Sequence, residues 1–152
     1  MAAEWKPPSV TVAAVIERDG RFLMVEEDYD GQRVFNQPAG HLDPGESLIA
    51  ACAREVLEET AHRFTPESLI GIYRWYYKPR DITFIRFTFA GRQDGLEAGR
   101  ALDKEIVATH WFTRAELAAN AARHRTPLVM SCIDDYLGGK RFPLDVFAHG
   151  YA

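Results

Sequence analysis

"GHLDPGESLIAACAREVLEETAH", Gly40 to His62, passes from a loop punctuated by glycine and proline into a helix whose far end is crowded with glutamates. Ser47 follows the Pro44-Gly45 turn and can cap the helix through its hydroxyl, so a helix is expected from near Ser47 to about Ala61. At about 100° per residue, with Leu48 at zero, Cys52, Val56, Ile49 and Ala53 span roughly 40° to 140° and define the buried stripe. Glu55 and Glu59 fall within about 20° of Leu48, and Glu58 near about −80°. The carboxylates therefore lie at the edge of the buried side, not opposite it. A solvated charged face would spread them away from the stripe and pair them one turn on. No lysine follows any of them.

Like carboxylates on a half-buried stripe protonate or destabilise the fold unless a cation joins them. A hard divalent ion, Mg2+ or Mn2+, bound through oxygen meets that need, with Glu55, Glu58 and Glu59 as candidate ligands. Glycine and proline around Ala39-Gly40 let the main chain approach closely, so the Ala39 carbonyl is a further candidate ligand. Glu46 and Arg54 fall about 40° apart on the same wheel. They can pair along the helix, which would hold Arg54 in support of the carboxylates and away from the ion.

The net charge of the 152-residue chain is −4, and the stretch from Asp43 to Glu59 carries an excess of that same size. The negative charge is local, and a general nucleic-acid binder, which needs a basic stripe, is excluded. With 47% hydrophobic and 26% charged residues, the composition suits one domain, residues 1–152, with a real core. Cys52 and Cys132 sit inside apolar helical patterns and read as small core residues, not a disulfide framework. "MAAEWKPPSV" at the start lacks the apolar run of a signal peptide, and no stretch is apolar for the length of a membrane span. A cytoplasmic protein without a membrane partner is expected; no pattern speaks to oligomeric state.

Outward from the helix, "VTVAAVIE" and "FLMVEE" read as strands joined in a hairpin around Asp19-Gly20. The stretch from Asp28 to Glu46 reads as loop. "SLIGIYRWYY" and "ITFIRFTFAG" are aromatic, β-branched strands separated by "KPRD", and "DGLEAGRALDKE" is a polar connection into a last strand, "IVATHWF". Helices are expected over Arg114–Arg123, capped by Thr113, and over Leu128–Leu137. One α/β domain fits this order.

The opening stretch resembles the Nudix box: Gly, five spacers, Glu, seven spacers, Arg-Glu, an apolar residue, one spacer and Glu-Glu, then one spacer, Gly and an apolar residue. Gly40, Glu46, Arg54, Glu55, Val56, Glu58 and Glu59 match it, while Ala61 stands at the family's glycine and His62 at its apolar position. Both departures lie where the helix ends, outside the candidate ligands. "NQPAGHL", "LDKEI", "HWF", "RTPLV" and "GKRFPL" extend the likeness from Val10 to Leu144, toward the NudJ-type phosphatase branch. The family resemblance implies an α/β/α sandwich with a mixed sheet and hydrolysis of a diphosphate linked to another moiety. The branch implies nucleoside di- and triphosphates, thiamine pyrophosphate and the related pyrimidine pyrophosphate as substrates, with inorganic phosphate released.

Such chemistry needs phosphate charge neutralised and a water held in line with phosphorus. Glu58 is either a further ligand or the base that orients the water. The family also places that base outside the box, and Glu105 is the candidate there. Arg74 and Arg86, on strands, can reach phosphates. Asn36 and Gln37 offer amides suited to a pyrimidine edge, and Phe35, Trp75 and Tyr77 can stack on such a ring. Two rival readings remain: a pyrophosphatase that clears aberrant nucleotides and releases pyrophosphate, and a non-catalytic nucleotide-sensing module. The second would lose box glutamates, and this chain keeps them.

Overall fold

Asp19 and Gly20 both take positive φ, 51° and 75°, and close the tight turn between β2 (Glu17–Arg18) and β3 (Arg21–Tyr29). This is the expected hairpin, and it follows β1 (Ser9–Val15) in the computed structural model, which describes residues 3–148. The stretch expected as loop instead holds β4 (Gln32–Asn36) and β5 (Ala39–His41). Asp30 and Gly31, at φ 49° and 77°, fold β4 back onto β3, so the punctuation marks ends of short strands.

The box helix, α1 (Leu48–Thr60), begins as expected, with Ala50 N donating to Ser47 Oγ at 3.0 Å. It ends on Ala61 at φ 59°, whose N–H donates to the Leu57 carbonyl at 2.9 Å. Alanine here adopts the left-handed conformation that glycine takes without strain, at a cost of roughly 1 kcal/mol. Ending the helix there lets β6 (His62–Tyr77) start at the next residue, earlier than its aromatic core suggested. β7 (Ile82–Leu96) returns alongside it, followed by β8 (Ile106–Phe112).

The helix expected over Arg114–Arg123 is shorter. α2 (Arg114–Ala119) opens with a capping box between Thr113 and Glu116 but breaks at Asn120, whose side chain donates to the Glu116 carbonyl at 2.8 Å. α3 (Leu128–Leu137) and a short edge strand, β9 (Phe142–Pro143), complete the order.

The strands form two sheets, one ordered β5-β1-β7-β6-β9 and one ordered β2-β3-β4 with β8 on the free side of β3. Only β1 and β7 run parallel, so the first sheet is mixed. Alternation along β1 feeds two cores. Val12 and Ala14 pack with Ala51, Cys52 and Val56 of α1, whereas Val15 packs with Leu117, Val129, Cys132 and Ile133. Helices thus cover both faces, giving the α/β sandwich. Both cysteines are free and buried.

Candidate active site

The glutamate end of α1 lies close against β5, with the Glu55 carboxyl occupying the space beside Gly40. A Cβ at Gly40 would lie 2.1–2.3 Å from the Glu55 carboxyl atoms. Beside it, Ala39 N donates to Glu59 Oε2 at 3.1 Å. Ala39 is therefore at the site, and its observed bond is a donated one.

A further carboxylate arrives from far along the chain. Glu58 O and Ala61 O, carbonyls at the unpaired end of α1, accept from Asp103 N at 3.0 Å and from Glu97 N at 2.8 Å. Those two bonds tie the polar connection to the helix. They bring Asp103 to Glu55 and Glu58, where a carboxylate oxygen of each lies within 4.8 Å of the others.

Burial dominates the electrostatics. Glu59, only 7% exposed, is pushed up to about 9 by loss of hydration, opposed by the Ala39 N–H and reinforced by the charges of Glu27 and Glu55. Burial also raises Glu55, against the pull of Arg54, and raises Asp103, with the charges of Glu58 and Glu105 adding to it. Glu46 goes the other way: its bonds from Arg54, Nη2 to Oε1 at 2.6 Å and Nε to Oε2 at 3.0 Å, hold its carboxyl below the usual range.

The Glu46–Arg54 pair forms as its spacing suggested, but Arg54 does more than stand aside. Its Nη1 also donates to Glu55 Oε1 at 2.9 Å and Glu58 Oε2 at 3.0 Å. Arg54 is thus a counter-charge shared by Glu46, Glu55 and Glu58. One guanidinium shared this way leaves Glu59 and Asp103 without an ion pair among the described residues. Oxygen-only donors, buried or half-buried and under-neutralised, with glycine beside them, fit a hard divalent cation.

The carboxylates open into a cleft of about 320 Å³. Asn36, Ala39, Glu55, Glu59, Arg86 and Glu105 line it, as do Trp75 and Tyr77. Arg86 is 4% exposed and donates from Nη2 to Asn36 Oδ1 at 2.9 Å and from Nη1 to Gln37 Oε1 at 3.3 Å.

Three of the substrate-binding candidates lie away from the cleft. Gln37 is fully buried, with Nε2 donating to the Val129 carbonyl at 2.8 Å, so its amide positions Arg86 and does not face a ligand. Phe35 is buried edge-on against Phe112, with the Arg123 guanidinium 4.2 Å from its ring centroid. Arg74 is exposed, on the opposite side of β6 from Trp75 and Tyr77. Phe35 and Arg74 follow from alternation along β4 and β6, whereas Gln37 lies just past the end of β4.

Asp103, Glu27 and Arg125 line the cleft and were not anticipated. Arg125 Nη1 donates to Glu27 Oε1 at 3.1 Å, and its guanidinium rests 3.4 Å from the Tyr29 ring centroid. Asp103 had a faint signal, two residues before Glu105 in "LDKEI"; the other pair joins segments distant in sequence and had none. Arg54 Nη2 donates to the His41 carbonyl at 2.9 Å, and His110 Nε2 lies 2.8 Å from Glu26 Oε1.

Comparison with known proteins agrees with this architecture. A sequence model of the NUDIX domain matches residues 5–131. Phosphatase NudJ of Escherichia coli strain K12 is 38% identical over 139 residues, which cover 91% of this chain and 90% of that protein. A NUDIX hydrolase from Nitrosomonas europaea superposes with a TM-score of 0.92 at 54% identity, covering 95% of this chain and 98% of its own. A MutT NUDIX hydrolase from Burkholderia pseudomallei shares the fold at a TM-score of 0.73 and 20% identity, over 86% of this chain and 98% of its own. With the family model matching most of the chain and the likeness running nearly end to end, the chain belongs to the Nudix hydrolase family.

Proposed function

We propose that the protein hydrolyses a phosphoanhydride bond in nucleoside di- or triphosphates, or in pyrimidine or thiamine pyrophosphates, and releases inorganic phosphate. The observation that carries this reading is the carboxylate set of Glu55, Glu58 and Asp103 beside buried Glu59, at one end of a cleft that also presents Arg86. Kinship with Phosphatase NudJ supports release of phosphate.

Glu55, Glu58, Glu59 and Asp103 would hold Mg2+ or Mn2+, with the Ala39 carbonyl as a further oxygen. When bound, such an ion supplies charge neutralisation on the phosphates and a more acidic water. Arg54 and Glu46 fix the carboxylate geometry. Arg86, locked by Asn36 and Gln37, binds phosphate oxygens through its cleft-facing edge. Glu105 lines the cleft and has no ion-pair partner among the described residues, so it is our assignment for the carboxylate that orients the water and takes its proton. Glu58, bonded to Arg54, belongs with the ion-binding set.

The reading treats residues 1–152 as one hydrolase domain acting in the cytoplasm on small molecules, without nucleic acid or a membrane as partner. No helix among the described residues is long and apolar enough to cross a membrane. A substrate panel with Mg2+, scored separately for phosphate and pyrophosphate, tests it. Phosphate from a nucleoside di- or triphosphate is expected. Pyrophosphate together with a monophosphate would overturn it.

A further inference from the structure

Glu26 and Glu27 are neighbours on β3, and alternation sends them to opposite faces of the second sheet. Glu27 lines the cleft, whereas Glu26 shares its face with Phe22 and Met24, which pack with α2 and α3. One short segment reaches both carboxylates. Arg123 places Nη2 3.6 Å from Glu26 Oε2 and its guanidinium 4.2 Å from the ring centroid of Phe35, the cross-strand partner of Glu26. Two residues on, Arg125 Nη1 donates to Glu27 Oε1 at 3.1 Å, and its guanidinium lies 3.4 Å from the Tyr29 ring centroid. The segment therefore straddles the edge of β4.

Between the arginines, the main chain pairs with β4 through one parallel bridge, His124 to Phe35, with Arg125 N donating to Phe35 O at 2.8 Å. A single bridge fixes the direction of a segment loosely, and a side chain held on each face of the sheet fixes it firmly. On the face away from the cleft that hold is well built. Arg123 Nε also donates to the Arg33 carbonyl at 3.3 Å, and Glu26 Oε1 lies 2.8 Å from His110 Nε2. On the cleft face, Glu27 and Tyr29 order a long side chain whose ordering would otherwise weaken binding. A planar guanidinium in that position suits the oxygens of a phosphate.

We propose that Arg123 and Glu26 are positioning residues: gripping the far face of the sheet, they place Arg125 to bind the substrate's phosphate oxygens from the cleft wall. The inference rests on the proposed hydrolase reading and adds to it a second guanidinium beside Arg86, governed from outside the cleft.

The test titrates adenosine 5′-(α,β-methylene)diphosphate, whose bridging carbon replaces the anhydride oxygen and resists hydrolysis, calorimetrically into the protein with Mg2+ present. Arg125→Ala should weaken binding about tenfold or more, as loss of a charged hydrogen bond does. Arg123→Ala removes no group that lines the cleft, yet should weaken binding about fivefold. Arg123→Lys, which keeps a cation against Glu26 and the Phe35 ring, should recover to within about twofold of the wild type. In the Arg125→Ala background, Arg123→Ala should cost less than about twofold more, because Arg123 acts through Arg125. A purely structural Arg123 would weaken binding in both backgrounds. No binding by the wild type, wild-type affinity in either alanine variant, no recovery by Arg123→Lys, or losses that multiply in the double variant would overturn the proposal. Failure of the hydrolase reading shows separately. A protein that releases no phosphate yet binds the analogue through this linked pair keeps the positioning residues and loses only the activity.

Discussion

Glu46 and Glu59 bracket the box helix and have opposite environments. Glu46 takes two bonds from one guanidinium and is held below the usual carboxylate range. Glu59 is buried, receives one backbone N–H, faces the charges of Glu27 and Glu55, and is pushed up to about 9. The fold satisfies the first carboxylate by itself and leaves the second wanting a positive charge. Under the proposed function, the counter-charge for such an acid would come from a bound cation.

The largest expected effect follows from the unsatisfied member. Glu59→Gln should fold and should lower turnover by about a hundredfold or more, the scale seen when a charge-stabilising group leaves an active site. Steady-state phosphate release in Mg2+ measures it; near wild-type turnover would erase the contrast between the two carboxylates. Glu46→Gln should cost less, about tenfold in turnover, because it loosens Arg54 without removing a carboxylate that faces the ion. Equal losses in the two variants would mean that both act in the same way.

The contrast also predicts a pH dependence. Glu59 has an ordinary value of 4.5 and is raised to about 9 in the folded chain, so between those values the folded state holds a proton that the unfolded state has lost. Its contribution to metal-free stability is therefore full below about pH 4.5 and falls as pH rises toward about 9. Glu55 and Asp103 shift in the same direction, whereas Glu46 is lowered and its contribution is lost only toward acid. In chelator, the melting temperature should drop between about pH 6 and about pH 8.5, and Glu59→Gln should flatten that drop. A wild-type melting temperature that rises across this range would contradict the burial account.

The smallest effect concerns where the helix ends. Ala61 at φ 59° carries strain that glycine avoids, set against glycine's larger unfolded-state entropy. Ala61→Gly should raise stability by a fraction of about 1 kcal/mol in denaturant unfolding. A loss of similar size would show an unstrained alanine.

Features set by neighbours in the chain were legible in the sequence. Ser47 capping, the Glu46–Arg54 pair and the placement of Glu55 and Glu59 beside the buried stripe all depend on one helical period. The Asp19-Gly20 turn is similarly local. Partners that meet across the fold were not legible. Asp103 reaches the cluster because its N–H finds the Glu58 carbonyl, and Arg125 meets Glu27 across segments that no periodicity connects. Gln37 and Asn36 are adjacent yet differ in surroundings, the first fully buried just past the end of β4 and the second lining the cleft from its last residue, and the sequence alone does not separate them.

Direct ion binding tests the central claim with the fewest intermediates. Mn2+ titrated into the wild type, Glu46→Gln and Glu59→Gln, and followed by the electron paramagnetic resonance of free Mn2+, separates the satisfied carboxylate from the unsatisfied one. The account predicts that the wild type depletes the free-ion signal, that Glu46→Gln does so with an affinity weakened about tenfold, and that Glu59→Gln leaves it nearly undiminished. Wild-type binding by Glu59→Gln would contradict it.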